Sequence, residues 1–221
     1  MFIASAHPEA NISRVFAALG EGERSARDAA RKQADIAPDG KARRFLLAQA
    51  RQEAFHAWVC DGAVHWLAPD SAGASALPAA VKRALRRYAE RIGTDLAERE
   101  FTRSLVGMQV VFEGLGAVVL GKLDIGLSKH GKRFAPLRRI LLRQEDAHHE
   151  FGVRSLQRLI ASDAERAGLG AACAGYCDLS DAVLRACSEL FGDFDAEIAE
   201  YIEQARIGLP AFLAPPRVIL T

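Results

Sequence analysis

The segment RQEDAHHEFG, residues 143–152, places five side chains able to bind a metal ion within six positions. Two of them, Glu145 and His148, have the spacing Glu-x-x-His. The same spacing recurs in QARQEAFHAWVC as Glu53 and His56. Residues three apart on an α-helix lie on one face in successive turns, so each pair can bind the same ion. Carboxylate and imidazole together are donors that iron accepts, whereas thiolates favour zinc or iron–sulfur sites.

Helices must position these pairs, because strand signals are almost absent from the sequence. The chain is rich in Ala, Leu, Arg and Glu, and segments with Pro and Gly divide it. The pattern predicts two long helical hairpins joined by a crossover that contains a short helix, followed by accessory helices and an extended tail. We expect one domain over residues 1–221, with the main bundle at about 10–162 and accessory elements at 163–221. The predicted helices cover 10–36, 41–67, 79–92, 95–127, 136–162, 164–177 and 179–207.

Both Glu-x-x-His pairs occupy positions where the helical pattern requires core residues. The apolar stripe of the first helix continues to Glu23, whereas Glu21 falls on the opposite face. Glu113 is the only acid in the apolar segment LVGMQVVFEGLGAVVLG. A buried carboxylate must be neutralised by a proton, an ion pair or a metal. The sequence therefore predicts two further inward carboxylates.

Distance from the predicted turns places these residues at matched heights. The turn near residue 38 is 15 residues from both Glu23 and Glu53, and the turn near 129 is 16 residues from both Glu113 and Glu145. Residues equidistant from the turn of an antiparallel hairpin lie level with each other. We therefore predict that four carboxylates and two imidazoles meet in one layer. The candidate metal-binding and catalytic residues are Glu23, Glu53, His56, Glu113, Glu145 and His148.

Two Glu-x-x-His pairs, each level with a lone core glutamate, resemble the pattern of the ferritin-like di-iron carboxylate superfamily over about residues 10–162. The resemblance implies an all-α fold: a ferritin-like four-helix bundle with a long crossover between its second and third helices and additional C-terminal helices. That crossover, those helices and the phrase EDAHHEFGVRSL are more similar to the oxidase and oxygenase branch. The branch includes ribonucleotide reductase small subunits, aldehyde-deformylating oxygenases and tRNA hydroxylases of this fold.

The resemblance also implies a function and a set of ligand roles. Two iron ions would be bound, and a mixed manganese–iron pair is compatible with the same donors. Glu53 and Glu145 would bridge the ions, while Glu23 and Glu113 would each bind one. We expect a dioxygen-dependent oxidoreductase that oxidises a small, apolar organic substrate. Its two electrons would come from a donor such as a ferredoxin or a flavoprotein reductase.

The segment EGLG, residues 113–116, places two glycines beside the predicted metal layer. Glycine at these positions predicts an open channel for substrate or dioxygen, a π-bulge, or close helix packing. Four apolar residues near the layer are candidates for a substrate cavity or for the core. They are Phe55, Phe112, Leu115 and Phe151.

Three alternatives remain open at this point. A bacterioferritin-like ferroxidase or iron-handling protein would use the same ligands. A metal-free bundle would bury the six side chains as a salt-bridge network, at a large desolvation cost. His149 lies about 40° from Glu145 around the helix axis, against about 60° for His148, so geometry admits either. The parallel with the other Glu-x-x-His pair favours His148.

Composition limits the classes of partner. The net charge of +1, from 29 basic and 28 acidic residues, argues against a nucleic-acid partner. No apolar run approaches the roughly 20 residues of a membrane span, and MFIASAHPEA lacks the pattern of a signal peptide. We therefore expect a cytoplasmic protein with neither a membrane nor a nucleic-acid partner. A homodimer is compatible with the sequence.

Overall fold

The protein is all-helical, and the residues that the structure describes contain no β-strand. A computed structural model describes residues 8–68, 77–129, 135–191 and 197–213. The elements in chain order are α1 (Pro8–Ile36), α2 (Gly40–Leu67), α3 (Ala79–Ala97), α4 (Phe101–Leu105), a π-helical segment (Val106–Phe112), α5 (Glu113–Lys129), α6 (Ala135–Leu159), α7 (Asp163–Ala186), a 3₁₀ turn (Ser188–Phe191) and α8 (Ile198–Ile207).

Three of the four long helical stretches that carry the candidate ligands agree with the predicted boundaries to within three residues, whereas the stretch predicted over 95–127 begins at Phe101. Helices α1 and α2 form a tightly packed hairpin. Asp39 caps α2, because its carboxylate accepts hydrogen bonds from the backbone N–H groups of Lys41 and Ala42, each at 2.8 Å. The continuous helix over 101–129 packs against α6 as the second pair. Helices α3 and α7 pack against each other, α3 also against α1 and α7 against the π-helical segment.

The crossover helix α3 continues to Ala97, whereas the sequence predicted its end near residue 92. The continuation is stabilised by Asp95, which is buried and accepts a hydrogen bond of 2.5 Å from the hydroxyl of Tyr176. The helix ends where Arg99 adopts a left-handed conformation with φ of 59°. The N–H of Glu100 then donates to the carbonyl of Asp95 at 2.8 Å, the bond of a Schellman C-cap.

Helix α7 runs without interruption through Asp178, so the predicted break between two helices at that point was wrong. Asp178 is exposed and costs the helix little. The helix ends at Ala186, and a 3₁₀ turn and α8 take the place of one helix predicted to reach 207. Residues 208–213 form turns instead of an extended tail, and 214–221 lie outside the described residues. The buried positions of α7 recur at helical spacing: Leu169, Cys173, Tyr176, Cys177, Ser180, Val183 and Leu184.

The apolar core has two parts, and the candidate ligands lie between them. One part includes Phe16, Cys60, Val119 and Leu141. The other includes Ala26, Leu46, Val110 and Leu156. On each of the four long helical stretches, the candidate ligands therefore fall between a residue of the first part and a residue of the second. The six polar side chains are enclosed from both ends by packed apolar residues.

One helical stretch among the described residues, Phe101–Leu123, is long and apolar enough by length and composition to cross a membrane. The expectation that no apolar run approaches this length was therefore wrong. The stretch joins α4, the π-helical segment and the start of α5, and Glu113 is its only acid. In the protein, 67% of its most apolar window is buried. Core helices of this kind pass the same test of length and composition.

Candidate metal centre

The six candidate ligands converge in one buried layer and form two overlapping sets. Within each set, one donor atom from every residue lies within 4.8 Å of all the others. Two donors on opposite sides of an ion, each about 2.1 Å from it, stand roughly 4.2 Å apart. Each set is therefore close to the size that one metal ion needs. The first set is Glu23, Glu53, His56 and Glu145, and the second is Glu53, Glu113, Glu145 and His148.

The two imidazoles direct the same nitrogen toward the carboxylates. Nδ1 of His56 lies 3.1 Å from Glu53 Oε2, 3.1 Å from Glu145 Oε1 and 3.4 Å from Glu23 Oε2. Nδ1 of His148 lies 3.0 Å from Glu53 Oε1. The ring centroids are 6.2 Å apart. Glu53 thus presents one oxygen to each imidazole, which is the arrangement of a carboxylate that bridges two ions.

The other nitrogen of each imidazole contacts a glutamine on the opposite ligand-bearing helix. Nε2 of His56 lies 2.6 Å from Oε1 of Gln144, and Nε2 of His148 lies 2.8 Å from Oε1 of Gln52. An amide oxygen only accepts hydrogen bonds, so Nε2 carries the proton in each ring. When the ring is neutral, its Nδ1 lone pair therefore faces the carboxylates. This tautomer is the one that a metal ligand requires.

Four buried atoms of the layer have no hydrogen-bond partner among the described residues: Glu53 Oε2, His56 Nδ1, Glu145 Oε1 and His148 Nδ1. Their side chains are at most 2% exposed. Buried polar atoms are normally satisfied, and lone pairs that face each other repel. A cation between them removes this cost, so the residues fit a bound metal. The four carboxylates carry a charge of −4, which two divalent ions balance.

Burial and mutual repulsion dominate the electrostatics of the layer. Burial, followed by the charge of Glu145, raises the pKa of Glu23 well above its usual value. Burial also raises the pKa of Glu113 and of Glu145, with the next contributions from Glu53 and Glu113 respectively. Burial alone would raise the pKa of Glu53, but the imidazoles of His148 and His56 that face it outweigh burial and lower that pKa. Glu23, Glu113 and Glu145 therefore hold protons strongly unless another cation replaces them.

No protein-family model matches this sequence, and no curated protein matches it.

The structure brings together all six candidates and separates them from their neighbours in sequence. His148 is 1% exposed within the layer, whereas His149 is half-buried and belongs to neither donor set. Burial lowers the pKa of His149. Asp146 and Glu150 are exposed. The positions of the two α6 histidines therefore favour His148 over His149 as the candidate ligand.

The sequence reasoning missed three glutamines that contact the layer. Gln52 and Gln144 each precede the glutamate of a Glu-x-x-His pair, so the repeated unit is Arg-Gln-Glu-x-x-His in both helices. That longer repeat was visible in the sequence. Gln49 lies one turn before Glu53 on the buried face of α2. A polar residue in a core stripe was the signal for it.

An apolar cavity of about 70 Å³ opens beside the layer, between α1, α3, α5 and α7. One water needs roughly 10–15 Å³ on the same measure, so the cavity has room for a small organic group. Glu23, Glu113 and Glu145 border it. Burial raises the pKa of the Cys187 thiol, which also lines the cavity, to about 12, so this thiol stays protonated. The other lining residues are apolar or glycine: Val15, Ala18, Leu19, Gly22, Leu85, Phe112, Leu115, Gly116, Val119, Val183, Leu184 and Phe191.

Two of the four apolar residues predicted near a cavity do line it, namely Phe112 and Leu115. The other two do not. Phe55 is 41% exposed, and Phe151 stacks on Phe45 with ring centroids 4.0 Å apart. All four residues are close to the ligands in sequence, so sequence position could not distinguish those that line the cavity from those that do not. The cavity opens on the side of α1 and α5 and not on that of α2.

The glycines of 113–116 and the π-helical turn have separate roles. Gly116 lines the cavity, and a Cβ there would lie 4.0 Å from Glu145 Oε2 with nothing nearer. The π-helical segment is Val106–Phe112, and it ends two residues before Gly114. Gly107 within it is required by close packing, since a Cβ there would lie 2.5 Å from Ile92 Cδ1. Of the three expectations for 113–116, the open space at Gly116 is the one that the cavity supports.

Proposed function

We propose that the protein is a ferritin-like, non-haem di-iron oxidase or oxygenase that uses dioxygen to oxidise a small, apolar organic substrate. One observation carries the proposal: two four-residue donor sets share Glu53 and Glu145 and no other residue. Shared carboxylates between two ion positions are the arrangement of a two-metal site. Carboxylates with imidazoles, and no thiolate in either set, favour iron or manganese over zinc clusters.

In this proposal each residue has a defined task. Glu53 and Glu145 would be shared by two ions, Glu23 and His56 would complete one position, and Glu113 and His148 would complete the other. When bound, the two iron ions supply the electrons that reduce dioxygen. Glu23 is the most exposed ligand, at 12% of its side chain, and it borders the cavity, so it has the most room to move.

The cavity defines the substrate class in the proposal. Its apolar walls exclude water and offer no charged group other than the three ligand carboxylates. An apolar substrate therefore gains free energy by entering, whereas an anionic one would be repelled. Turnover would draw two electrons from a ferredoxin or a flavoprotein reductase. We place this activity in the cytoplasm.

The proposal is tested by loading the metal-free protein with two Fe(II) per chain without oxygen and then exposing it to dioxygen. We expect a change in near-ultraviolet and visible absorption in the wild type. Glu113→Ala should remove the change, because one ligand of the second set is lost. The control is Glu150→Ala on α6, since Glu150 is exposed and pairs with Arg154 at 3.0 Å.

Three outcomes separate the alternatives. Wild-type protein that shows no absorption change, or a Glu113→Ala variant that behaves as wild type, would overturn the proposal. A many-subunit cage in size-exclusion chromatography, together with accumulated mineral iron, would favour a bacterioferritin-like iron-handling protein instead. A monomer or small oligomer with two irons per chain and an oxidised organic product would support the oxidase.

A further inference from the structure

Among the described residues, a chain of buried amides meets the carboxylates of the ligand layer on one side only. It begins at Gln49, whose Nε2 donates to Glu113 Oε1 at 2.8 Å and to Glu53 Oε1 at 3.0 Å. Both hydrogens of this amide are therefore used by metal-binding carboxylates. The same Gln49 accepts a hydrogen bond at its Oε1 from Gln109 Nε2, at 3.1 Å.

The chain continues away from the layer and fixes which way each amide points. Gln109 Nε2 also donates to Gln33 Oε1 at 2.8 Å, and Gln33 Nε2 donates to Ser104 Oγ at 3.1 Å. The Ser104 hydroxyl donates to the carbonyl of Phe101 at 2.7 Å. Each bond sets the direction of the next, so the NH₂ group of Gln49 must face the carboxylates. All three glutamines and the serine are 0% exposed.

Within the described part of the chain, the carboxylate at the other end of the layer, Glu23, has no equivalent amide chain. Among the described residues, Glu23 makes one hydrogen-bonding or ion-pair contact, with His56 Nδ1 at 3.4 Å. Its side chain is 12% exposed and borders the cavity. Glu113, in contrast, is 3% exposed and held by Gln49. Donors already held in place lose less conformational freedom when an ion binds, so their position binds more tightly.

We propose that the two metal positions are unequal: the position bounded by Glu113 and His148 fills first and holds its ion tightly, and the position bounded by Glu23 and His56 fills second and exchanges. Gln49 is the positioning residue that creates the difference. This inference rests on the two-metal site of the proposed function. It does not depend on which reaction the loaded protein performs.

Stepwise titration of the metal-free protein with Co(II), monitored by calorimetry and by visible absorption, tests the inference without any activity assay. The wild type should bind one Co(II) tightly and a second more weakly. Glu23→Ala should keep the tight step and lose the weak one, whereas Glu113→Ala should lose the tight step. The reverse pattern, or two wild-type steps of equal affinity, would overturn the unequal positions while leaving the two-metal site in place.

A second variant tests the role of Gln49 itself. Gln49→Leu should raise the Kd of the tight step by roughly 10-fold or more, as loss of a group that orients a ligand does. It should change the Kd of the weak step less. Equal weakening of both steps would contradict the assignment. Gln157→Leu, on the exposed face of α6, is the matched control and should change neither step. If Gln49→Leu does not fold, Gln49→Asn withdraws the amide by one methylene and gives the same comparison. Failure of the wild type to bind Co(II) at all would instead overturn the proposed function.

Discussion

His56 and Gln144 form a contact of 2.6 Å between two helices, from the imidazole Nε2 to the amide oxygen. His148 and Gln52 repeat it at 2.8 Å in the opposite direction. Each ligand-bearing helix thus supplies a histidine to the layer and the group that orients the histidine of the other helix. Because the acceptor is an amide and not a carboxylate, the orientation is fixed without adding negative charge. With all four carboxylates ionised, the charge of the layer stays at −4, the value that two divalent ions balance.

Gln144→Leu should reduce metal affinity by roughly 10- to 100-fold, because the imidazole of His56 loses the acceptor that fixes its tautomer and ring orientation. Calorimetric titration with Co(II) measures the change. Gln144→Glu restores an acceptor and should recover most of the affinity. If the leucine variant binds Co(II) as tightly as the wild type, the glutamine does not orient the ligand.

Glu53→Ala should lower the amount of bound metal at both positions, because Glu53 belongs to both donor sets and contacts both imidazoles. Elemental analysis after equilibrium dialysis measures this directly. Glu21→Ala is the control, since Glu21 lies on the exposed face of α1. A variant that still retains one ion per chain at wild-type affinity would show that Glu53 is not shared.

Much of this arrangement was predictable from spacing. The helical pattern and equal distances from two turns were enough to bring Glu23 level with Glu53, and Glu113 level with Glu145. The structure confirms that these side chains meet. The turn-distance argument succeeds because α-helical rise per residue is constant, so counting residues measures height.

Other features depend on tertiary contacts that no local pattern contains. The continuation of α3 depends on Asp95 meeting Tyr176 from α7, which is 81 residues away. The amide chain depends on Gln33 and Gln109 from different helices facing each other. Each is polar and buried, so each looks like a helix-breaking or surface residue until its partner is known. The same limit explains why the side on which the cavity opens could not be predicted.

Metal binding should become stronger as the pH rises, because the ion must displace protons from the layer. The pKa values of Glu23, Glu113 and Glu145 are raised, mainly by burial. The pKa of His56 is raised too: burial opposes the shift, but the carboxylates that face the ring, Glu145 first, outweigh it. A group with a raised pKa stabilises the fold fully below its unfolded pKa, and the contribution is lost as the pH rises through the folded pKa.

The metal-free protein should therefore lose the stabilisation that the protonated Glu23, Glu113 and Glu145 contribute as the pH rises above about 4.5, the ordinary pKa of a glutamate. The Co(II)-loaded protein should not lose stability in this way. The difference in Tm between loaded and metal-free protein should widen from about pH 5 to about pH 8. Differential scanning calorimetry at a fixed excess of Co(II) measures it. A difference that stays constant or narrows over this range would contradict proton–metal competition at these residues.

Gly116→Leu should close the cavity without removing a ligand. A Cβ at this position would lie 4.0 Å from Glu145 Oε2 with no atom nearer, so the backbone should tolerate a side chain there. Dry apolar cavities bind xenon, and the leucine variant should bind less of it in ¹²⁹Xe NMR while keeping wild-type Co(II) binding. Gly121→Leu on the same helix is the control, since a Cβ there meets nothing within 4 Å. Equal xenon binding by Gly116→Leu and the wild type would place the cavity elsewhere.

Tyr176→Phe should lower the free energy of unfolding by about 1–3 kcal/mol, because Asp95 stays buried and loses the donor to its Oδ2. Urea denaturation of the metal-free protein measures the loss. Tyr201→Phe is a matched control: Tyr201 is 0% exposed, and its hydroxyl has no hydrogen-bond partner within the described part of the chain. Its loss should cost less than about 0.5 kcal/mol. Similar losses in the two variants would show that the hydrogen bond to Asp95 does not stabilise α3.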